Sequence, residues 1–145
     1  MLSRGEHCCK RMSETQKFSI SKTTEERLPS LPFAKAKNSI LGSQYELGLI
    51  FIGNKRSKTL NLTYRKKDKV ANVLSFPLSQ LEGEIYICLK EARRDAKLFQ
   101  KELPEFVLML FIHGMLHLKG YTHGSTMKRK EESSLQFFRK QRGKK

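Results

Sequence analysis

The stretch "PEFVLMLFIHGMLHLKGYTH", residues 104–123, is where a reading of this chain begins. Proline is tolerated in the first turn of a helix, where its missing N–H has no partner to lose, so Pro104 marks a start. From Phe106 to Leu118 the run is apolar almost all round, and a helix of that kind belongs at the centre of a fold. Gly120 is placed to cap its end. Two histidines interrupt the apolar run. His113 and His117 are four apart, a little over one turn, so both rings leave the same face. His123 follows after the chain turns at Tyr121-Thr122.

Outward from this helix, the remaining elements read as strands early and helices late. "KFSIS" (17–21) alternates and suits an edge strand. "FAKAKNSIL" (33–41), after Pro29 and Pro32, reads as a short helix closed by Gly42. "YELGLIFIG" (45–53) is the clearest strand, stopped by Gly53-Asn54. "KTLNLTYR" places Leu60 and Tyr64 on one short helical face. "KKDKVA" reads as a basic loop. "NVLSFP" reads as a brief extended segment that Pro77 should stop, because proline cannot donate to a ladder. "GEIYICL" (83–89) alternates as a second good strand. "KEARRDAKLFQKEL" is an amphipathic helix with Ala92, Ala96 and Phe99 expected inside. "STMKRKEESSLQFFRKQ" makes a last helix, with Ser125 as N-cap and Leu135 and Phe138 inward. This order predicts an α+β fold, a small mixed β-sheet packed by several helices. At 145 residues it predicts one domain. It also predicts a flexible extension over 1–15, a single folded domain over 16–140 and a basic tail over 141–145.

The charge narrows the function. There are 29 Lys and Arg against 14 Asp and Glu, a formal +15. Such a field draws polyanions. Basic residues crowd the C-terminus (Lys140, Arg142, Lys144, Lys145), but they also recur at Arg65, Lys66, Lys67, Arg93 and Arg94, which favours nucleic acid over a solubility tail. Three cysteines, two of them adjacent (Cys8, Cys9) and beside His7, form no disulfide framework and indicate a reducing cytosol. No apolar run reaches the length of a membrane span. Arg4, Lys10 and Arg11 show no amphipathic import pattern, and Met12 is an alternative start.

The histidines supply the chemistry. A lone histidine in an apolar element is usually a core residue bonded to the backbone. Here three share one direction. Uncompensated buried imidazoles would each cost on the order of 1–3 kcal/mol, which a shared metal removes. Neutral imidazoles suit Zn²⁺, one per chain, although Ni²⁺, Cu²⁺ and Fe²⁺ also accept them. Three protein ligands leave a fourth position open, as catalytic zinc requires. The ion keeps its double charge, which lowers the pKa of a coordinated water toward ~7 and attracts an anion. In zinc peptidases with H-E-x-x-H a glutamate follows the first histidine as base. Here that position is Gly114. A phosphodiester, whose charge arginines can offset, fits better than a peptide.

At this point the residues resemble a known family. "HGMLHLKGYTH" is similar to the H-G-x-L-H-L-x-G-Y-D-H signature of the YbeY endoribonucleases. "LNLTYRKKDKVANVLSFP" (60–77) resembles that family's L-N-x-x-Y-R-x-K-D-x-x-T-[DN]-V-L-S-F-P, and "GEIYIC" its G-D-I-x-I-C strand. The resemblance runs in order from about residue 45 to 138. It implies a small mixed sheet with a metalloprotease-like zinc site on a central helix. It also implies single-strand-specific, metal-dependent cleavage of RNA in rRNA processing: late-stage quality control of 70S ribosomes and maturation of the 16S rRNA 3′ end. The implied partners are rRNA, the small ribosomal subunit and single-stranded RNA, with ribosomal or assembly proteins beside them, in the cytoplasm and away from membrane.

His113, His117 and His123 match the family's metal ligands, and Arg65 its functional arginine. Read from its own chemistry, Arg65 is a phosphate clamp, or a surface residue paired with Asp68. Asn72, Ser75 and Phe76 belong to the second block; Phe76 is expected to pack in the core, and no chemistry is assigned to Ser75. Two departures stand out. Thr122 replaces the motif's Asp, which removes an acid beside a ligand ring. Glu84 replaces the strand Asp, as a general base or a structural partner. A ribosome-binding assembly factor with a structural metal is the alternative reading, and a metallopeptidase a weaker one.

Overall fold

The computed structural model describes residues 17–143, with side chains as far as Arg139. The expected extension at 1–15, His7, Cys8, Cys9, Met12 and the final lysines lie outside the described residues, as do the side chains of Lys140 and Arg142. The chain runs β1 (Phe18–Lys22), α1 (Phe33–Ile40), β2 (Glu46–Ile52), α2 (Asn54–Arg65), β3 (Val73–Ser79), β4 (Glu82–Cys88), α3 (Leu89–Leu98), α4 (Leu103–Leu118) and α5 (Ser125–Gly143).

The four strands form one mixed sheet in the order β1-β2-β4-β3. β1 pairs parallel to β2, and β2 parallel to β4. β3 returns antiparallel against β4 through a tight turn. This is the expected α+β architecture, and "KFSIS" is the expected edge strand, shifted by one residue. Alternation decides which face each strand residue serves. Gly83, Ile85 and Ile87 are buried on one face, where α4 lies. A Cβ on Gly83 would come within 3.1 Å of Leu118. Glu84, Tyr86 and Cys88 point to the other face, toward α2: Cys88 Sγ donates to Asn54 Oδ1 at 3.0 Å.

α4 is the central element, as its all-round apolar sequence requires. Val107, Phe111, Ile112 and Met115 have no exposed surface. Phe111 alone, meeting Phe33 edge-on at 5.1 Å and Phe18 at 6.0 Å, contributes about 1.5–3 kcal/mol through burial. α1, α3 and α5 pack on α4, the last through Met127, Leu135 and Phe138, all buried.

Four local expectations need correction. Strand β3 runs through Pro77 to Ser79, with a register irregularity beside the proline. β3 is an edge strand, where a missing N–H leaves no ladder bond unmade. Helix α2 begins directly at Asn54 and buries Ser57 and Asn61, while Tyr64 is exposed. These polar residues are inside because they tie down the loop that follows: Ser57 Oγ bonds the Ala71 backbone in both directions, and Asn61 Nδ2 donates to Lys69 O. Phe99 is exposed, because α3 ends at Leu98 and the chain turns away through a positive φ at Gln100. Ser125 is already helical; the first α5 bond runs from Lys128 N–H to the Gly124 carbonyl, so Gly124 occupies the cap position.

Candidate metal centre

His113 and His117 emerge from α4 where that helix crosses β3 and β4. Gly114 makes the crossing possible. A Cβ there would lie 2.9 Å from Ser75 Oγ and 3.1 Å from Ile85 Cδ1. With no side chain in the way, Ser75 Oγ donates to the Gly114 carbonyl at 3.0 Å, fastening strand to helix beside the first histidine. A glutamate could not occupy this position without displacing the Ser75 hydroxyl and the Ile85 side chain, so the peptidase base has no room here as the residues stand.

The helix then stops in a way that also orients a ring. Gly120 takes φ +105°, and the Tyr121 N–H donates back to the Leu116 carbonyl at 3.0 Å. That closure places the Tyr121 carbonyl where His117 Nδ1–H donates to it, also at 3.0 Å. The turn carries His123 back over the helix end. The three rings meet: centroids are 4.7 Å apart for His113–His117, 4.7 Å for His117–His123 and 5.2 Å for His113–His123. One nitrogen from each falls within 4.8 Å of the others. Sequence spacing placed these three residues together, and the structure does bring them together. It does not bury them as expected: His113 and His117 are half-buried and His123 is exposed.

One member of the cluster was missed from sequence. Glu131, on α5, accepts from His113 Nδ1–H. It lies between Met127 and Leu135 at four-residue steps, on the stripe that α5 turns inward. An acid on an apolar stripe was the available signal. It supplies a carboxylate beside the His113 ring, which the loop, with exposed Thr122, does not.

These outer bonds test whether a metal fits. With Nδ1–H of His113 given to Glu131 and Nδ1–H of His117 given to Tyr121 O, both Nε2 atoms carry bare lone pairs. Those atoms face one another at 3.2 Å. Two lone pairs at that distance repel unless a cation lies on them. Burial first, and then the neighbouring His113, push His117 below the ordinary imidazole value, favouring the neutral form that a ligand needs. Outer partners that fix the tautomer are the usual companions of metal-binding imidazoles. The donor set fits a divalent ion.

The histidines open onto a cleft of about 560 Å³ whose opposite wall is Tyr64, Arg65, Asn72, Val73, Ser75 and Phe76. Arg65 is the last residue of α2, which Lys66 closes in the left-handed conformation, and its side chain lines the cleft. The alternative pairing with Asp68 is not made; Asp68 lies 3.7 Å from Lys58 instead. Asn72 Nδ2 donates to Asp95 at 2.8 Å, which holds it at the cleft edge. Phe76 is not in the main core. It is half-buried on the α2 side, edge-on to Tyr64 and Tyr86. Glu84 accepts from Tyr86 OH at 2.8 Å on the sheet face opposite α4. It partners Tyr86 and does not line the histidine cleft, and burial together with this bond pushes the Tyr86 phenol up to about 12.

Comparison with known proteins agrees with this arrangement. A family model described as Endoribonuclease YbeY matches residues 10–141. The Endoribonuclease YbeY of Finegoldia magna is 38% identical over 103 residues, 63% of this chain and 67% of the relative. That of Campylobacter jejuni subsp. jejuni is 34% identical over 114 residues, 73% of this chain and 84% of the relative. A Thermotoga maritima protein solved in solution shares the fold, with a TM-score of 0.58 over 81% of this chain and 86% of its own, at 24% identity. The match takes in both the α2–β3 segment that carries Arg65 and the α4 segment that carries the histidines: the chain belongs to the YbeY endoribonuclease family.

Proposed function

We propose that this chain is a zinc-dependent endoribonuclease that cuts single-stranded RNA in rRNA processing. The observation that carries the reading is the pair of Nε2 lone pairs aimed at one point, across a cleft from an unpaired guanidinium. Among the described residues Arg65 has no ion-pair partner, and its planar fork matches two phosphate oxygens. The cleft is of a size that takes one or two nucleotides rather than a duplex, since about 300–1,000 Å³ is usual for small-molecule sites. The +15 charge draws RNA from solution independently of its sequence.

His113, His117 and His123 would hold the ion, which when bound supplies a Lewis acid for a phosphoryl oxygen. Glu131 and the Tyr121 carbonyl keep the rings in the ligating tautomer. Arg65 binds the scissile phosphate and offsets the charge that grows on it. Gly114 leaves no base on the helix, so proton removal from the attacking group falls to another residue or to solvent. rRNA and the small ribosomal subunit are the proposed partners, in the cytoplasm. No helix among the described residues is long and apolar enough to cross a membrane.

The test is metal analysis of untagged protein paired with cleavage of unpaired RNA, with and without chelator. Bound zinc, and cleavage that chelator abolishes and zinc restores, are expected. Folded His113→Ala should bind rRNA without cutting it. Cleavage indifferent to chelator and to His113→Ala would overturn the reading. Products that end in cyclic phosphate, with DNA left intact, would assign the attack to the RNA 2′-hydroxyl.

A further inference from the structure

A second cleft, about 640 Å³, adjoins the histidine cleft and shares Asn72, Val73 and His113 with it. It runs between α4, α5 and the end of α3. Its floor is apolar, formed by Phe106, Met109, Leu110 and Leu135. At its far end stands Phe99, a large aromatic side chain left 64% exposed. The Phe99 ring lies nearly parallel to buried Phe106, with centroids 6.0 Å apart and 18° between planes. One face of the ring is therefore braced by the core while much of it remains open to solvent. Lys101 and Lys128 line the same cleft and have no ion-pair partner among the described residues. Arg139 does not add to them, being paired with Glu105. Glu132 and Gln136 also line it and can bond the edge of a base.

We propose that this cleft is a nucleobase subsite, in which an unpaired base of the bound RNA stacks on Phe99 while its backbone passes His113. The proposal rests on the reading of the chain as an endoribonuclease and goes further in placing a base. A braced aromatic face flanked by lysines is how single strands are gripped without a duplex, because every base has a stacking face and every linkage a charge. Continuity with the histidine cleft favours RNA over a protein segment as the occupant. The register follows from α4. Phe106 and His113 are seven residues apart, about 10 Å along the helix axis. The Phe99 ring adds up to 6.0 Å beyond Phe106, and at about 3.4 Å per stacked nucleotide the whole span is no more than roughly five nucleotides. The stacked base should lie within five nucleotides of the bond that is cut.

The experiment uses an unpaired RNA oligonucleotide cut by the wild-type protein, and a series in which one base at a time is replaced by an abasic site. Binding is read by fluorescence anisotropy with chelator present, and cleavage with zinc. Phe99→Ala should weaken binding roughly 5- to 100-fold and Phe99→Trp should restore it. One abasic position within five nucleotides of the cut should weaken wild-type binding equally, and Phe99→Ala should be blind to it. If the wild type binds and cuts the oligonucleotide while Phe99→Ala matches it at every abasic position, the subsite is overturned and the endoribonuclease reading stands. If the wild type neither binds nor cuts unpaired RNA, both are overturned.

Discussion

The Nε2 atoms of His113 and His117 lie 3.2 Å apart, and the Nδ1 atom of each ring is bonded outward, to Glu131 and to the Tyr121 carbonyl. Two elements that share no sequence motif, α5 and the turn after α4, therefore set the direction of both lone pairs before any ion arrives.

Glu131 should matter to metal affinity while leaving the fold intact. Glu131→Gln can still accept from the ring but loses the charge that raises ligand basicity. Removing such an outer partner lowers metal affinity about 10- to 100-fold. Competition against a chromophoric chelator would read this directly. Thermal unfolding gives an independent readout. Zinc at about 100 times its Kd should stabilise the wild type by about 2.7 kcal/mol, since the unfolded chain lacks the site. That corresponds to roughly 5–10 °C for a domain of this size. At the same zinc concentration Glu131→Gln should gain distinctly less. Equal gains would assign Glu131 to packing alone.

Gly114 should tolerate no side chain. The methyl of Gly114→Ala would meet Ser75 Oγ at 2.9 Å and Ile85 at 3.1 and 3.3 Å. Alanine is the better helix former by about 1 kcal/mol, so propensity alone predicts stabilisation. Overpacking at a helix–sheet crossing costs about 1–3 kcal/mol and should win, because one neighbour is the hydroxyl that fastens β3 to α4. A lower denaturant midpoint with unchanged m-value is expected. Gly114→Ala,Ser75→Gly, which clears the nearest clash, should recover part of the loss. A more stable Gly114→Ala would show that α4 can slide on the sheet.

The contrast between Gly114 and Glu131 shows what the sequence could reveal. Everything fixed by local period was legible. Pro104, the apolar run and Gly120 bounded α4, and the four-residue step put His113 and His117 on one face. What depended on a neighbour in space was hidden. Glu131 stands out only by its step between Met127 and Leu135, and its partner is unknown until α5 is laid against α4. Phe99 completes an apolar face on paper, but the chain leaves the helix one residue earlier. Pro77 reads as a stop because the sequence does not say that β3 lies at the edge. Ser57 and Asn61 are buried for a loop they hold down, which no periodicity records. Arg65 was legible only through the resemblance of its flanking block, since nothing local distinguishes it from the other basic residues around it.

Arg65 should act on the reaction more than on RNA affinity. Many basic residues share the work of attracting RNA, so losing one should weaken binding only slightly. The salt dependence of log Kd should fall by about one phosphate contact. Cleavage should suffer more. Removing a donor aimed at developing charge costs roughly 10²- to 10³-fold in kcat. Arg65→Lys should recover little, because an ammonium does not present a planar fork. Single-turnover cleavage beside equilibrium binding separates the two effects. Loss of binding that accounts for the whole loss of cleavage would reduce Arg65 to one more surface charge.

Lys37 should make the fold sensitive to alkaline pH in a direction opposite to most lysines. Its side chain is among the largest that are fully buried, and its ammonium has a long 3.4 Å bond to the Ser43 carbonyl. Burial, and then repulsion from Lys17, lower its pKa from the ordinary 10.5, with Glu46 partly opposing. A lysine whose folded pKa is depressed holds fewer protons folded than unfolded. Its contribution to stability therefore rises with pH between the lowered value and 10.5, and its penalty is fully present below that window. Lys37→Met keeps the length and removes the charge. It should be more stable than the wild type at neutral pH, with the gain shrinking as pH climbs toward 10.5. Denaturant titrations of both proteins from pH 7 to 10.5 would measure the difference, in which the common titration of exposed lysines cancels. A constant gain across the series would mean that folding does not lower the Lys37 pKa. A loss at neutral pH would mean that the Ser43 bond outweighs the burial of the charge.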